Sequence, residues 1–149
     1  MSALTERVAR ARETGDWSAL AREIPYAAWL GITVSVQGDE VVVSLPHAPM
    51  HVGNATLPAI HGGVVGALLE HAASLTLLVR AETVVLPKTI TFTVDYLRSA
   101  RTVATHARAV ITRQGRRVST VRVEAYQDDP AKPVAAGHGH FLVMRDGEG

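Results

Sequence analysis

The sequence predicts an α+β domain in which an antiparallel sheet curls around one long buried helix. The stretch from Gly62 to about Arg80 carries Val64, Val65, Ala67, Leu68, Leu69, Ala72, Ala73, Leu75, Leu77, Leu78 and Val79 around nearly its whole circumference. A helix apolar on every side is buried rather than laid on a surface. Two segments of period two precede it and four follow, joined by turns too short for parallel crossovers. With 149 residues, 47% of them hydrophobic and 19% charged, the chain has the size and apolar content of one ordinary domain.

Residues 1–30 read as a helical extension, and residues 31–145 as the domain itself. Leu4, Val8 and Ala11 share one helical face, Gly15 ends that helix, and Asp16 is placed to cap a second one holding Trp17, Leu20 and Ala21. The following IPYAAWLGI reads as an apolar connection, and the whole extension as packed on the surface. From Ile32 the period becomes two: Ile32, Val34 and Val36 alternate with Thr33 and Ser35, Gly38-Asp39 offers a turn, and EVVVSL returns. Pro46 to Ala59 has three prolines, a glycine and an asparagine, a loop long enough to suggest function. After the helix, Ile90, Phe92, Val94 and Tyr96 share a strand face opposite Thr89, Thr91, Thr93 and Asp95. VATHARAVIT, RRVSTVRVEAY and VAAGHGHFLVM complete the sheet.

Composition excludes several function classes. Fifteen Lys and Arg against fourteen Asp and Glu leave a net charge of +1, without the basic excess of a nucleic-acid binder. The chain has no cysteine, so disulfides, thiolate zinc sites and thiol nucleophiles are ruled out. Its start alternates charge and lacks the apolar stretch of a secretory signal, and the run from Val64 to Val79 is interrupted by Glu70 and His71. A cytoplasmic protein without membrane contact is expected.

Glu70 is the most informative residue. It sits among Leu68, Leu69, Ala72 and Ala73, where an unpaired carboxylate costs several kcal/mol. It persists either because an arginine pairs with it or because a site needs it. His61-Gly62-Gly63 stands at the helix N-terminus, where unpaired N–H groups gather and two glycines allow a carbonyl oxygen to approach them. A flexible start to the helix explains the glycines equally well. Gly62 and Gly66 lie eight and four residues before Glu70 on its own face, which puts the acid about 11–12 Å along the axis from the N-terminus. His71 points about 100° around the helix from Glu70, a poor arrangement for a joint site. His138 and His140, two apart on one strand, and His47 and His51 in the long loop invite a metal, but no acid joins them and a polar face is the simpler reading. No metal site is expected, and no nucleophile elbow, P-loop or dinucleotide fingerprint is present. Tyr26, Trp29 and Phe92 suit an acyl pocket or ordinary core packing.

GNATLPAIHGGVVGALLEHAAS followed by KTITFTVDYLRSA resembles the hotdog-fold acyl-CoA thioesterases of the phenylacetic-acid-degradation type, over about residues 24–144. The resemblance implies a hotdog fold and hydrolysis of an acyl-CoA to free acid and coenzyme A. Coenzyme A is then part of the substrate, and no separate cofactor is expected. Gly62 matches the glycine whose N–H polarises the thioester carbonyl. Glu70 matches the acid that attacks it or activates water, where many relatives carry Asp. Asn54 resembles the loop asparagine that orients thioester or water, and His61 the motif histidine that shapes the loop. Thr89 falls near the strand hydroxyl that positions water from the partner subunit. Gly63 belongs to the same helix start, and Lys88, Arg98 and Arg101 are the cations expected to meet coenzyme A phosphates. Arg113, Arg116 and Arg117 suit either that role or a solvated hairpin tip. The resemblance also implies an obligate homodimer, or a homotetramer built from dimers. Two other readings stand beside it: a hotdog enoyl-thioester hydratase or dehydratase, and a non-catalytic acyl-CoA binder.

Overall fold

Residues 3–81, 83 and 85–144 are described by a computed structural model; residue 145, the predicted end of the domain, lies outside them. Three short helices open the chain: α1 (Ala3–Thr14), α2 (Trp17–Arg22) and α3 (Pro25–Leu30). Gly15 takes a left-handed φ of 76°, and the Asp16 side chain accepts from the Ala19 N–H, as their residue types predict. The third helix corrects the reading of IPYAAWLGI as a mere connection. Proline at its first turn and Gly31 at φ 80° are the paired start and stop signals of a short helix. The extension is also no surface appendage. Val8, Ala11, Trp17, Leu20, Ala27 and Leu30 belong to the same buried cluster as Leu68 and Val123. Arg12 donates to the Leu78 and Thr83 carbonyls, fastening α1 to the far end of the long helix.

The hairpin of β1 (Thr33–Gln37) and β2 (Glu40–Leu45) turns at Gly38, whose φ is 59°. The proline-rich stretch is more ordered than its composition suggests: a 3₁₀ turn at Pro49–His51 leads into a small hairpin of β3 (Val52–Asn54) and β4 (Ala59–Ile60). Then comes α4 (Gly62–Arg80), followed by β5 (Lys88–Tyr96), β6 (Thr105–Gln114), β7 (Val118–Tyr126) and β8 (Ala135–Leu142). The six long strands form one antiparallel sheet in the order β1-β2-β6-β7-β8-β5. α4 packs against β2, β5, β6, β7 and β8, the helix-in-sheet arrangement that the resemblance implied. By length and composition α4 would suffice to cross a bilayer, but 56% of that span is buried inside the domain.

The sheet has two edges, and they are treated differently. Along β1, the Ser18 hydroxyl of α2 both accepts from the Val34 N–H (2.8 Å) and donates to its carbonyl (3.1 Å), which blunts that edge. β5, at the other edge, pairs only with β8 and has no such cover among the described residues. It is nevertheless held firmly from within. The Phe92 ring lies over Gly137 and Gly139, where an added Cβ would meet it at 3.0 and 2.6 Å, and it meets Phe141 edge-on. The glycines of GHGHF are thus the space that Phe92 occupies. His138 and His140 alternate with them and are exposed on the opposite face, where His140 bonds the Thr120 hydroxyl.

Candidate active site

α4 does not bury its whole circumference. Gly62, Gly66, Glu70 and Ser74, each four residues from the last, form a half-buried stripe that the edge strand β5 crosses. The two elements run antiparallel along this stripe. Tyr96 covers Gly62 and Gly66, where added Cβ atoms would lie 3.4 Å from its ring and hydroxyl, and Val94 approaches Gly66. The Tyr96 hydroxyl donates to the Gly62 carbonyl at 2.7 Å. The helix glycines therefore bring β5 close, and Tyr96 divides the groove into two ends.

At the first end is the start of α4. His61 caps it: its Nδ1 accepts from the Gly63 N–H at 2.8 Å, and its carbonyl accepts from Val64 and Val65. Of the four N–H groups that a helix leaves open at this end, only that of Gly62 has no partner among the described residues. Gly62 opens on a cavity of about 410 Å³ that it shares with Arg98 and Ser99. An unpartnered N–H at the positive end of a helix, beside an arginine, suits a polarised carbonyl attached to an anion.

At the second end Glu70 lines a cavity of about 130 Å³ together with His71, Ser74 and Thr89. Glu70 has no ionic or hydrogen-bonding partner among the described residues, so the alternative of a pairing arginine does not hold there. Thr89 reaches this cavity through an irregularity of β5. Thr91 pairs with His140, but Thr89 pairs with Phe141, so one extra residue is accommodated between them. The bulge moves Thr89 off the face of Thr91 and Thr93, where strict alternation puts it, and turns it towards α4. Thr89, the hydroxyl expected to act from a partner subunit, thus lines the same cavity as Glu70 of its own chain. His71 corrects a second expectation. Although it points away from Glu70 on the helix wheel, both line one cavity, because the cavity lies between their two directions. Its Nδ1 is 2.7 Å from the Ala67 carbonyl; since a carbonyl only accepts, Nδ1 bears a proton and Nε2 is the ring nitrogen left for the cavity's chemistry.

The remaining predicted residues are distributed more widely. Asn54 is exposed, and its side-chain oxygen accepts from the Thr56 and Leu57 N–H groups, an Asx turn that shapes the β3–β4 hairpin. Its amide group stays available. Gly53 seats this hairpin on the helix start, for a Cβ there would lie 2.6 Å from His61 Cα. Gly53→Ala is expected to push the β3–β4 hairpin off His61 and destabilise the fold by about 1–3 kcal/mol. A thermal melt checks this, at about 2–4 °C per kcal/mol for a chain of this size. Lys88 is exposed at the start of β5, next to Thr89. Arg101 bonds to Asp128 and is not free, whereas Arg98 has no side-chain partner among the described residues. Arg113, Arg116 and Arg117 lie at the tip between β6 and β7. No group of three or more metal-ligating side chains occurs among the described residues. Sequence reasoning missed Ser74 and Tyr96. The four-residue spacing that connected Gly62, Gly66 and Glu70 reaches Ser74 one turn later, whereas nothing local signals that Tyr96 meets Gly62.

The family described as the acyl-CoA thioesterase N-terminal domain matches residues 51–142, which contain every part of both cavities except Ile24 of α3. The medium/long-chain acyl-CoA thioesterase YigI of Escherichia coli K12 is 30% identical over 120 residues, 71% of this chain and 77% of that protein. The Salmonella typhimurium protein of the same name is 35% identical over 94 residues, and the match spans 61% of its length. Among solved structures, a Chromobacterium violaceum protein superposes with a TM-score of 0.76 at 34% identity, over 93% of this chain and 97% of the other. A variant of the phenylacetic acid degradation protein PaaI from Thermus thermophilus does so at 0.67 and 27% identity, over 80% and 99%.

Proposed function

The chain belongs to the acyl-CoA thioesterase family, and from that premise we propose that it hydrolyses acyl-CoA thioesters to the free acid and coenzyme A at sites shared between two copies. One observation carries the reading: Glu70 and Thr89 line one cavity, while Gly62, whose N–H has no partner among the described residues, lines another with Arg98. Eight residues of regular helix separate the two ends, about 12 Å along the axis. A reacting carbonyl must be within about 3 Å of both its oxyanion donor and its attacking water. One copy alone does not meet that requirement. Two copies related by a two-fold axis across the half-open stripe meet it twice, with Gly62 of each facing Glu70 of the other. The uncovered edge of β5 supports the same axis, because pairing there satisfies strand groups that a monomer leaves open.

In this arrangement the Gly62 N–H and the helix dipole polarise the thioester oxygen, while Arg98 meets a phosphate of coenzyme A. Glu70 of the second copy takes a proton from water, which Thr89 and Ser74 hold by their hydroxyls. The oxygen adds to the carbonyl carbon, the negative charge gathers on the carbonyl oxygen, and the C–S bond breaks to release the thiolate. Attack by Glu70 itself, through an anhydride that water then opens, uses the same groups. The test follows thiol release from a set of acyl-CoAs, with the subunit mass in solution measured alongside. Turnover by a dimer or tetramer is expected; release by a monomer at full rate overturns the shared site.

The presence of His71 and Glu70 in one cavity favours a second reading, an enoyl-thioester hydratase, since an imidazole and a carboxyl group together can supply the proton donor and the proton acceptor that hydration needs. Incubation with an unsaturated acyl-CoA separates the two: loss of enoyl absorbance without thiol release belongs to the hydratase.

A further inference from the structure

Two large aromatic side chains are held half in solvent where the extension meets the Glu70 cavity. α3 buries Ala27 and Leu30 but turns out Tyr26 (49% exposed) and Trp29 (50% exposed). Their rings stack at 5.9 Å with an interplanar angle of 14°. The Tyr26 ring lies 5.8 Å from that of His71, which lines the cavity, and Ile24, at the start of the same helix, lines it too. At its far end Trp29 meets the ring of buried His51 edge-on at 6.1 Å, which fixes the plane of the ledge.

The geometry points to this ledge as the subsite for the acyl tail, with Tyr26 and Trp29 as residues that determine chain-length specificity. The inference rests on the thioesterase reading and deepens it. A cavity of about 130 Å³ has room for roughly four water-sized groups, enough for the reacting carbon and a few methylenes. A longer chain has to leave it. Along the wall formed by Ile24 and His71, the surface it meets next is the Tyr26 ring, then Trp29. Methylenes laid on stacked aromatic faces lose contact with water, and each one fully buried is worth about a fourfold gain in affinity. Short acyl groups end inside the cavity and gain nothing from the ledge.

The experiment compares kcat/KM across saturated acyl-CoAs from acetyl to palmitoyl for the wild type, Tyr26→Ala, Trp29→Ala and Trp29→Phe. The alanine variants are expected to lose about 10–30-fold on chains of twelve carbons and longer, and less than about twofold on acetyl- and butyryl-CoA. Trp29→Phe keeps an aromatic face and is expected to stay within about threefold throughout. A second readout is independent of turnover. The chain has two tryptophans, and the other, Trp17, is only 5% exposed. S-hexadecyl-coenzyme A, a thioether that water does not cleave, should therefore change the Trp29 emission, S-ethyl-coenzyme A should not, and Trp29→Phe should abolish the response. Equal losses at all chain lengths, no loss on long chains, or a change in subunit association with an unaltered chain-length profile overturns the assignment. Failure of the function itself looks different: the wild type then releases no thiol from any acyl-CoA.

Discussion

Glu70→Gln is expected to lower kcat by about 10²–10⁴-fold while leaving the fold intact, because an amide neither accepts the water's proton nor attacks the thioester. The prediction is clean because Glu70 is half-buried and has no partner to lose among the described residues. Substitutions of that kind stay within about ±0.5 kcal/mol in stability. A melting curve that overlays the wild type, together with thiol release near background, is the expected pair of results. Ser74→Ala and Thr89→Val remove only hydroxyls that position water, so smaller losses in kcat are expected there. Activity of Glu70→Gln within a few-fold of the wild type would take the acid out of the mechanism.

Gly62→Pro should cost about 10²–10³-fold in kcat, the usual loss when one oxyanion donor is removed. Proline replaces the N–H by a ring methylene, which removes the donor and occupies the place of the bound oxygen, and the backbone tolerates proline at this position. Gly62 is the first residue of α4, where proline's fixed φ fits the helix and its missing donor breaks no helical bond. His61 before it has φ −57° and ψ 131°, the extended region that a residue preceding proline favours. A Cβ at residue 62 meets Tyr96 at 3.4 Å, an ordinary contact. The pairing of ends is then tested by mixing. Homodimers of Glu70→Gln and of Gly62→Pro are each expected to be inactive, but a mixed dimer pairs the intact Gly62 of one copy with the intact Glu70 of the other. Partial recovery of thiol release after co-refolding is the expected outcome. Heterodimers that form and stay inactive would show that each copy works alone.

Much of the architecture is written in short-range signals. Asp16 and Gly15 mark a helix junction, Gly38 marks a hairpin, and the apolar run through Leu68 and Leu78 gives α4 and its burial, because caps, turns and periodicity act within a few residues. The start of α3 was legible too, in Pro25 and Gly31, but six residues carry too little periodicity to separate a helix from an apolar connection. The acid, the glycines and the arginine of the site stand out as residue types in unusual places. Their grouping does not. Thr89 joins Glu70 because of a bulge in the pairing of β5 with β8, His71 joins it because a cavity lies between two helix directions, and Tyr96 divides the groove because β5 crosses the Gly62–Gly66 stripe. Each of these depends on the register of a strand against elements tens of residues away. A slip of one residue there reverses which side chains face the helix, and so the sequence by itself determined the groups available for chemistry, while the tertiary structure decided which of them share a cavity.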